Sequence, residues 1–340
     1  VKFLVVGLGS MGKRRIRNLQ HLGAGEITGF DPRADRREEA GSRYRIKTFA
    51  SFEEALAEDP GALIVSTPPD KHLEYALKAA GSGKHFFTEA GVMTDGLEEL
   101  IVLCRDRRIV AAPSCTMRFQ PSIRVIKKLV EDRVVGGIQA FTYHSGQYLP
   151  DWHPWEDYRS FYVSRRETGA CREIVPFELV WLTWVLGEVE LVSCFKGKLS
   201  GLEADIDDVY QLLLGFQGGT LGHMLVDVIA RVPYRVLKLI SDEGIISWDW
   251  REKCVRVFRA AAGEWEEYRE PAGMVEKGYV IEEEMYIAEM AHFIKAIKGE
   301  EQYQYSLAED KKVLELLLAA EQSWENGIHI QPGGIGGQRK

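Results

Sequence analysis

The chain has 340 residues, 45% apolar and 28% charged, with a formal net charge of −8, the balance of an ordinary globular protein long enough for two cores. Acidic and basic residues are interspersed, which excludes the basic footprint of a nucleic-acid binder, and no apolar run reaches membrane-spanning length. The cysteines, at positions 104, 115, 171, 194 and 254, contain no Cys-x-x-Cys pair and read as reduced thiols rather than a disulfide framework or zinc site. With no basic-plus-apolar leader in view, the expectation is a cytoplasmic protein without a membrane, nucleic-acid or metal partner.

Residues 3–6 form an apolar run of strand length that leads straight into Gly7-Leu8-Gly9-Ser10-Met11-Gly12, followed by a helix-compatible segment at 13–22. Strand, Gly-x-Gly-x-x-Gly and helix in that order are the phosphate-binding turn of a dinucleotide fold. Gly7 permits the tight turn, Gly9 admits a pyrophosphate, and Gly12 lets helix and strand pack closely. A second strand at 26–30 ends in Asp31, nineteen residues past Gly12, the interval expected of the acid that binds an adenosine ribose.

Up to about residue 118, strand candidates at 3–6, 27–30, 62–66, 85–88 and 110–113 alternate with helical stretches, which predicts a Rossmann-type, doubly wound parallel sheet. Ligands of that architecture sit beyond the carboxyl ends of the strands. The segments that matter are therefore 7–12, Asp31, Thr67-Pro68-Pro69 and Glu89-Ala90-Gly91. A helix at 119–131, with Pro121 in its first turn, opens a second domain. From residue 137 the texture changes to long alternating runs at 139–148, 191–198, 209–217, 220–229, 234–241, 245–248 and 254–260. They predict an α+β domain whose sheet is an open, largely antiparallel meander, with helices at 173–186, 282–298 and 307–326 and a glycine-rich tail at 333–340. The division is 1–118 and 119–340. These helices cover one face of such a sheet, so the other is expected to be a subunit interface in a homodimer or homotetramer.

The turn at 7–12, Asp31, Ser66-Thr67-Pro68-Pro69-Asp70-Lys71-His72, Arg118-Phe119-Gln120-Pro121 and the helix end at 182–188 together resemble the glucose-fructose oxidoreductase/inositol dehydrogenase (Gfo/Idh/MocA) family over nearly the whole chain. The resemblance implies NAD(P)-dependent hydride transfer on a sugar, cyclitol or sugar derivative, at a cleft between the two domains. The stretch 151–166, with Trp152, His153, Trp155, Asp157, Tyr158, Arg165 and Arg166, looks most like members that handle sugars of cell-surface polysaccharides. Two departures stand out. Where the family usually has Glu-Lys-Pro after the fifth strand, this chain has Glu89-Ala90-Gly91, and where it has an Asp and a His four residues apart, this chain has Glu173 and Phe177.

Alcohol oxidation needs a hydride acceptor and a group that takes the hydroxyl proton. The expected cofactor is NAD, with NADP possible because Arg33, Arg36 and Arg37 follow Asp31. Its expected contacts are Gly7, Leu8, Gly9, Ser10, Met11, Gly12, Asp31, Arg33, Thr67, Pro68, Pro69, His72 and Glu89. Candidate proton carriers are His72, Glu173, His153 and Tyr158, and His144 is another polar residue of the second domain. His72 also reads as a cofactor contact without proton chemistry, and His153 as part of a packed aromatic loop. Trp152 suits stacking on a sugar ring, while Arg159, Arg165 and Arg166 suit forks onto a substrate anion, with surface salt bridges as the alternative. Without the usual lysine and histidine, two other functions stay open: a non-catalytic nucleotide- or sugar-binding protein, and a reductase of an unsaturated or imine-like substrate.

Overall fold

The computed structural model describes residues 1–153, 156–275 and 282–327; Trp155 and the tail at 333–340 lie outside the described residues. The chain divides into two compact units, Val1–Phe119 with Gly273–Lys311, and Gln120–Ala272 with the residues from Lys312 onward.

In the first unit the order is β1 (Phe3–Val6), α1 (Ser10–His21), β2 (Ile27–Phe30), α2 (Ala34–Tyr44), β3 (Lys47–Phe49), α3 (Phe52–Ala57), β4 (Ala62–Val65), α4 (His72–Gly81), β5 (His85–Thr88), α5 (Leu97–Arg107) and β6 (Ala111–Pro113). The strands pair in parallel in the order β3-β2-β1-β4-β5-β6. This is the doubly wound sheet expected, with its topological switch point between β1 and β4. Every residue of β1 and β4 is buried, which is why these strands read as unbroken apolar runs. The sequence gives no comparable signal for β3, a three-residue edge strand that starts with an exposed lysine.

The second unit begins with α6 (Pro121–Glu131), where Pro121 occupies the first turn and the Gln120 side chain accepts the Ile123 N–H at 2.9 Å. There follow β7 (Ala140–Tyr148), α7 (Ala170–Leu186), β8 (Val189–Gly197), β9 (Val209–Phe216), β10 (Leu221–Asp227), β11 (Ile229–Ile240), β12 (Gly244–Asp249), β13 (Cys254–Arg259) and β14 (Glu264–Arg269). They form one eight-stranded sheet in the order β14-β13-β12-β11-β7-β10-β9-β8. The sheet is antiparallel except where β10 runs parallel to β7. The open, largely antiparallel sheet is as expected, but its meander is not continuous, since β7 enters between β10 and β11 and splits it in two. Strand β14, Glu-Trp-Glu-Glu-Tyr-Arg, escapes prediction because it is an edge strand with little burial. In β11 the register shifts between Ile229 and Tyr234, across Pro233, which has no N–H to donate.

One face of this sheet is core. Tyr143, Leu212, Leu214, Met224, Leu237 and Trp248 are buried there, and Trp181 of α7 meets Tyr143 edge-on at 5.0 Å. Glu178 of α7 is also fully buried, its carboxylate accepting from Tyr143 Oη, Ser145 Oγ, Trp181 Nε1 and Arg235 Nε at 2.7–3.1 Å. A buried carboxylate with that many donors is stable and fixes the helix over its strands. On the other face Leu191, Phe195, Leu213, Leu221 and Val236 are exposed within the chain, Phe195 to 59% and Leu221 to 62%.

Beside the contiguous division 1–118 and 119–340, the units place Phe119 and, more consequentially, 273–311, containing α8 (Glu284–Ile297) and the start of α9 (Leu307–Asn326), in the first. The cause is charge. Helix α1 buries Arg14 and Arg15, and the returning segment supplies their counter-ions. Glu283 accepts from Arg14 Nε at 3.0 Å, and fully buried Glu289 lies 3.0 Å from Arg15 Nη1 in an ion pair whose angle is not that of a hydrogen bond. Glu289 also accepts from Thr116 Oγ1 at 2.7 Å and the Cys115 N–H at 2.6 Å. Glu289→Ala is expected to weaken the first unit by about 3 kcal/mol in urea unfolding, the scale for breaking a buried pair; a loss below about 1 kcal/mol would show that the segment is held by other means.

Candidate active site

The glycine turn closes the switch point. Gly7 has φ +92°, and a Cβ on it would stand 2.6 Å from the Ser66 carbonyl oxygen at the end of β4; a Cβ on Gly12 would stand 1.8 Å from the Gly7 oxygen. At Gly9, by contrast, a Cβ would meet only Arg36 Nη1, at 3.3 Å. Gly9 is the N-cap of α1 and brings no side chain to the start of the helix, whose positive end lies at the turn. A cradle that a side chain would fill at two points fits the pyrophosphate of a dinucleotide. Leu8 is buried.

Asp31 is bonded to this turn. Its Oδ2 accepts the Leu8 N–H at 2.8 Å and its Oδ1 the Arg33 N–H at 2.9 Å, so the backbone itself aims the carboxylate. Arg33 therefore serves Asp31 through its amide, while its guanidinium forks onto Asp35 at 3.1 and 2.6 Å. Arg37 Nη1 donates to the carbonyls of Asp31 and Pro32. The guanidinium lying against the glycine turn belongs to Arg36, 3.8 Å from Asp31 Oδ2.

Beyond β4, Thr67 and Pro68 lead into a short turn at Pro69–Lys71 and then α4. His72 is buried, and its Nε2 donates to the Thr67 carbonyl at 2.8 Å. Burial lowers its pKa, so the ring is neutral with a bare Nδ1 acceptor; neither that atom nor Thr67 Oγ1 has a hydrogen-bond partner among the described residues. Its one proton is thus held by a carbonyl, which favours a binding contact over proton transfer. Beyond β5, Glu89 receives a fork from Arg15, Nε at 2.7 Å and Nη2 at 2.8 Å, and the Ser66 hydroxyl at 3.1 Å. A Cβ on Gly91 would have open space around it.

In the second unit, Glu173 lies in the first turn of α7 with Phe177 one turn on, both half-buried. Glu173 Oε1 accepts the Tyr162 hydroxyl at 3.2 Å, a partner nothing in the sequence singles out from the other aromatic residues of 151–166. His153 stacks on Phe161 at 5.5 Å, and the indole N–H of Trp152 is buried without an acceptor among the described residues. Tyr158 is drawn elsewhere, its hydroxyl accepting the Glu203 N–H at 3.1 Å. Arg166 bonds Asp205 and Asp207 at 2.8–3.2 Å, and Arg159 bonds Asp157 and Glu203, so the salt-bridge alternative describes both. Arg165 is exposed. His144 pairs with Asp227 at 2.7 Å, and the Tyr234 hydroxyl lies 3.0–3.2 Å from both of its ring nitrogens. No His, Cys, Asp or Glu cluster among the described residues gathers for a metal ion, and none of the described helices is long and apolar enough to cross a membrane.

Two family models match the chain. One, described as an oxidoreductase family with an NAD-binding Rossmann fold, matches residues 1–111; the other, the GFO/IDH/MocA C-terminal domain, matches residues 123–247. Levoglucosan dehydrogenase of Pseudarthrobacter phenanthrenivorans is 24% identical over 250 residues, covering 63% of this chain and 62% of that protein. An uncharacterized oxidoreductase of Streptococcus pneumoniae is 29% identical over 142 residues, 41% of this chain and 38% of its own, so the chain spans less than two thirds of these first relatives. Among solved structures, levoglucosan dehydrogenase in complex with NADH superposes with a TM-score of 0.85 at 19% identity, covering 98% of this chain and 99% of that one.

Gly9→Ala and Gly12→Ala separate binding from folding. The first is expected to leave the melting temperature near that of the parent while weakening NADH binding, followed by fluorescence, by about tenfold or more. The second is expected to lower stability as well, because its Cβ meets backbone. Equal NADH affinity in Gly9→Ala and the parent would remove the turn from the binding site.

Proposed function

The chain belongs to the Gfo/Idh/MocA oxidoreductase family, and from that premise we propose that it transfers hydride between NAD and a sugar, cyclitol or sugar derivative. The observation that carries the proposal is the intact cradle: Gly7 and Gly12 held against backbone, Gly9 between them open to all but the Arg36 side chain, and Asp31 bonded to the turn itself. Gly7, Gly9, Gly12, Asp31, Thr67, Pro68, Pro69, His72 and Glu89 are the residues to hold the cofactor, whose nicotinamide supplies the two-electron acceptor. NAD is the preferred form, because Asp31 accepts from ribose hydroxyls and repels a 2′-phosphate, while Arg36 beside it keeps NADP possible. The sugar class draws on the relatives, levoglucosan dehydrogenase and a UDP-N-acetylglucosamine 3-dehydrogenase of Acidithiobacillus ferrooxidans, and on the aromatic loop with Trp152, His153 and Phe161. Reduced, buried cysteines suit a cytoplasmic location, which cell fractionation checks.

The experiment is a screen of purified protein with NAD and NADP against sugars, cyclitols, nucleotide sugars and keto acids, read by nicotinamide absorbance. Turnover of a sugar-class compound is expected; firm NADH binding with no turnover of any member would sink the proposal. Ala90 and Phe177 favour a second reading, a binding protein that keeps the scaffold without the chemistry. Ala90→Lys distinguishes them: a jump in activity points to a decayed dehydrogenase, and no gain beside robust native activity points to a rearranged site.

We further propose that the exposed face of the eight-stranded sheet pairs with a second copy, since Leu191, Phe195, Leu213, Leu221 and Val236 place exposed apolar side chains on that one face. Light scattering is expected to give a dimer or tetramer that Leu213→Asp dissociates; a monomeric parent would refute it.

A further inference from the structure

We propose that Tyr162 and Glu173 form the proton relay of this chain, the phenol meeting the substrate hydroxyl and the carboxylate taking the proton behind it. The inference rests on the hydride-transfer reading above and names the group that reading lacks, since Ala90 and Phe177 carry no titratable atom.

The other candidates are placed for different work. The proton of His72 is directed at the Thr67 carbonyl, and Tyr158 is bound by the Glu203 amide. His144 is engaged by Asp227 beneath Tyr234, and the ring of His153 stacks on Phe161. Tyr162 and Glu173 join a hydroxyl donor to a carboxylate acceptor at 3.2 Å.

The pair is built by the fold. Glu173 sits in the first turn of a seventeen-residue helix. The Glu173 N–H donates to the Gly169 carbonyl, and Gly169 is packed so tightly that a Cβ would lie 2.5 Å from Ile206 and 2.6 Å from the Arg165 carbonyl oxygen. That packing brings the end of the loop against the start of the helix. The loop is pinned in turn by buried Val163 and Thr168, and the Thr168 hydroxyl donates to the Tyr162 carbonyl at 2.7 Å. Phe177, one turn along the same side of α7, adds an apolar neighbour to the carboxylate.

The step balances. As the substrate O–H bond breaks, its proton joins Tyr162 Oη while the phenol's own proton crosses to Glu173 Oε1. The carbinol hydrogen leaves with its electron pair as hydride, which the nicotinamide dinucleotide accepts, and Glu173 later returns its proton to solvent. Oxidation therefore requires ionised Glu173 and gains rate as pH rises through its titration; in the reducing direction the same groups deliver the proton.

The test uses the full-length protein, NAD and a substrate that the parent oxidises. Tyr162→Phe is expected to lower kcat by about 10²–10³, within the range for lost acid-base help, while KM and the NADH dissociation constant stay within about threefold. Glu173→Gln is expected to lower kcat similarly and to flatten the acid limb of the kcat–pH profile, and the double variant should be no slower than either single one, as for residues acting as a unit. If Tyr162→Phe does not fold, as judged by its melting temperature and NADH binding, Glu173→Gln and its pH profile decide. An active parent whose variants keep both rate and acid limb overturns the relay alone. A parent that binds NADH and oxidises nothing overturns the hydride-transfer reading, and the relay with it.

Discussion

A guanidinium with no contact to solvent organises the first unit. Arg15 is fully buried on α1, and burial alone would weaken its hold on a proton; Glu89 and Glu289 more than restore it. Taking a charge out of water costs several kcal/mol, so a helix that buries Arg15 must draw carboxylates to it. One comes from the end of β5 and the other from α8, which follows residues 120–272 of the second unit in the chain. Burial pushes the Glu289 carboxyl up in turn, against the pull of Arg15 and the Thr116 hydroxyl. The return of 273–311 to the first unit thus completes the ion pairs of α1, supplying Glu289 to Arg15 and Glu283 to Arg14.

The cluster also reaches the glycine turn. Ser66 donates from its hydroxyl to Glu89, while its carbonyl is the atom that forbids a side chain at Gly7. The turn that closes over the switch point and the carboxylate below it therefore share one residue at the end of β4. Asp31 completes the arrangement by tying β2 to the Leu8 amide. Asp31 at the end of β2 and Glu89 beyond β5 are thus both held by hydrogen bonds of the scaffold around the glycine turn.

What could be read from the sequence was local. Strand, three glycines and Asp31 fall within 31 residues, and each acts through backbone geometry or a fixed interval along the chain. Edge strands β3 and β14 leave little pattern, since a strand paired on one side and wetted on the other needs no apolar alternation. Partnerships across the chain leave none. Arg14 and Glu283 are 269 residues apart, and the acids that engage Arg166 follow it by 39 and 41. A basic residue in a loop signals an anion, but whether that anion is a substrate or an aspartate of the same chain is decided by three-dimensional packing. Tyr162 is the converse case, an aromatic residue lost among aromatic neighbours until Gly169 brings its loop onto α7.

The same logic explains how the ammonium at position 90 can be absent without loss of the scaffold. A carboxylate at the end of β5 needs a counter-charge, and if the neighbouring lysine had supplied it, alanine would have left Glu89 isolated in a half-buried place. Here the counter-charge is Arg15, which reaches Glu89 from below with two hydrogen bonds and depends in no way on residue 90. Position 90 is therefore electrostatically independent of the cradle, and Gly91 beyond it stands in open space. A change of side chain at position 90 thus leaves the Arg15–Glu89 fork and the glycine turn as they are.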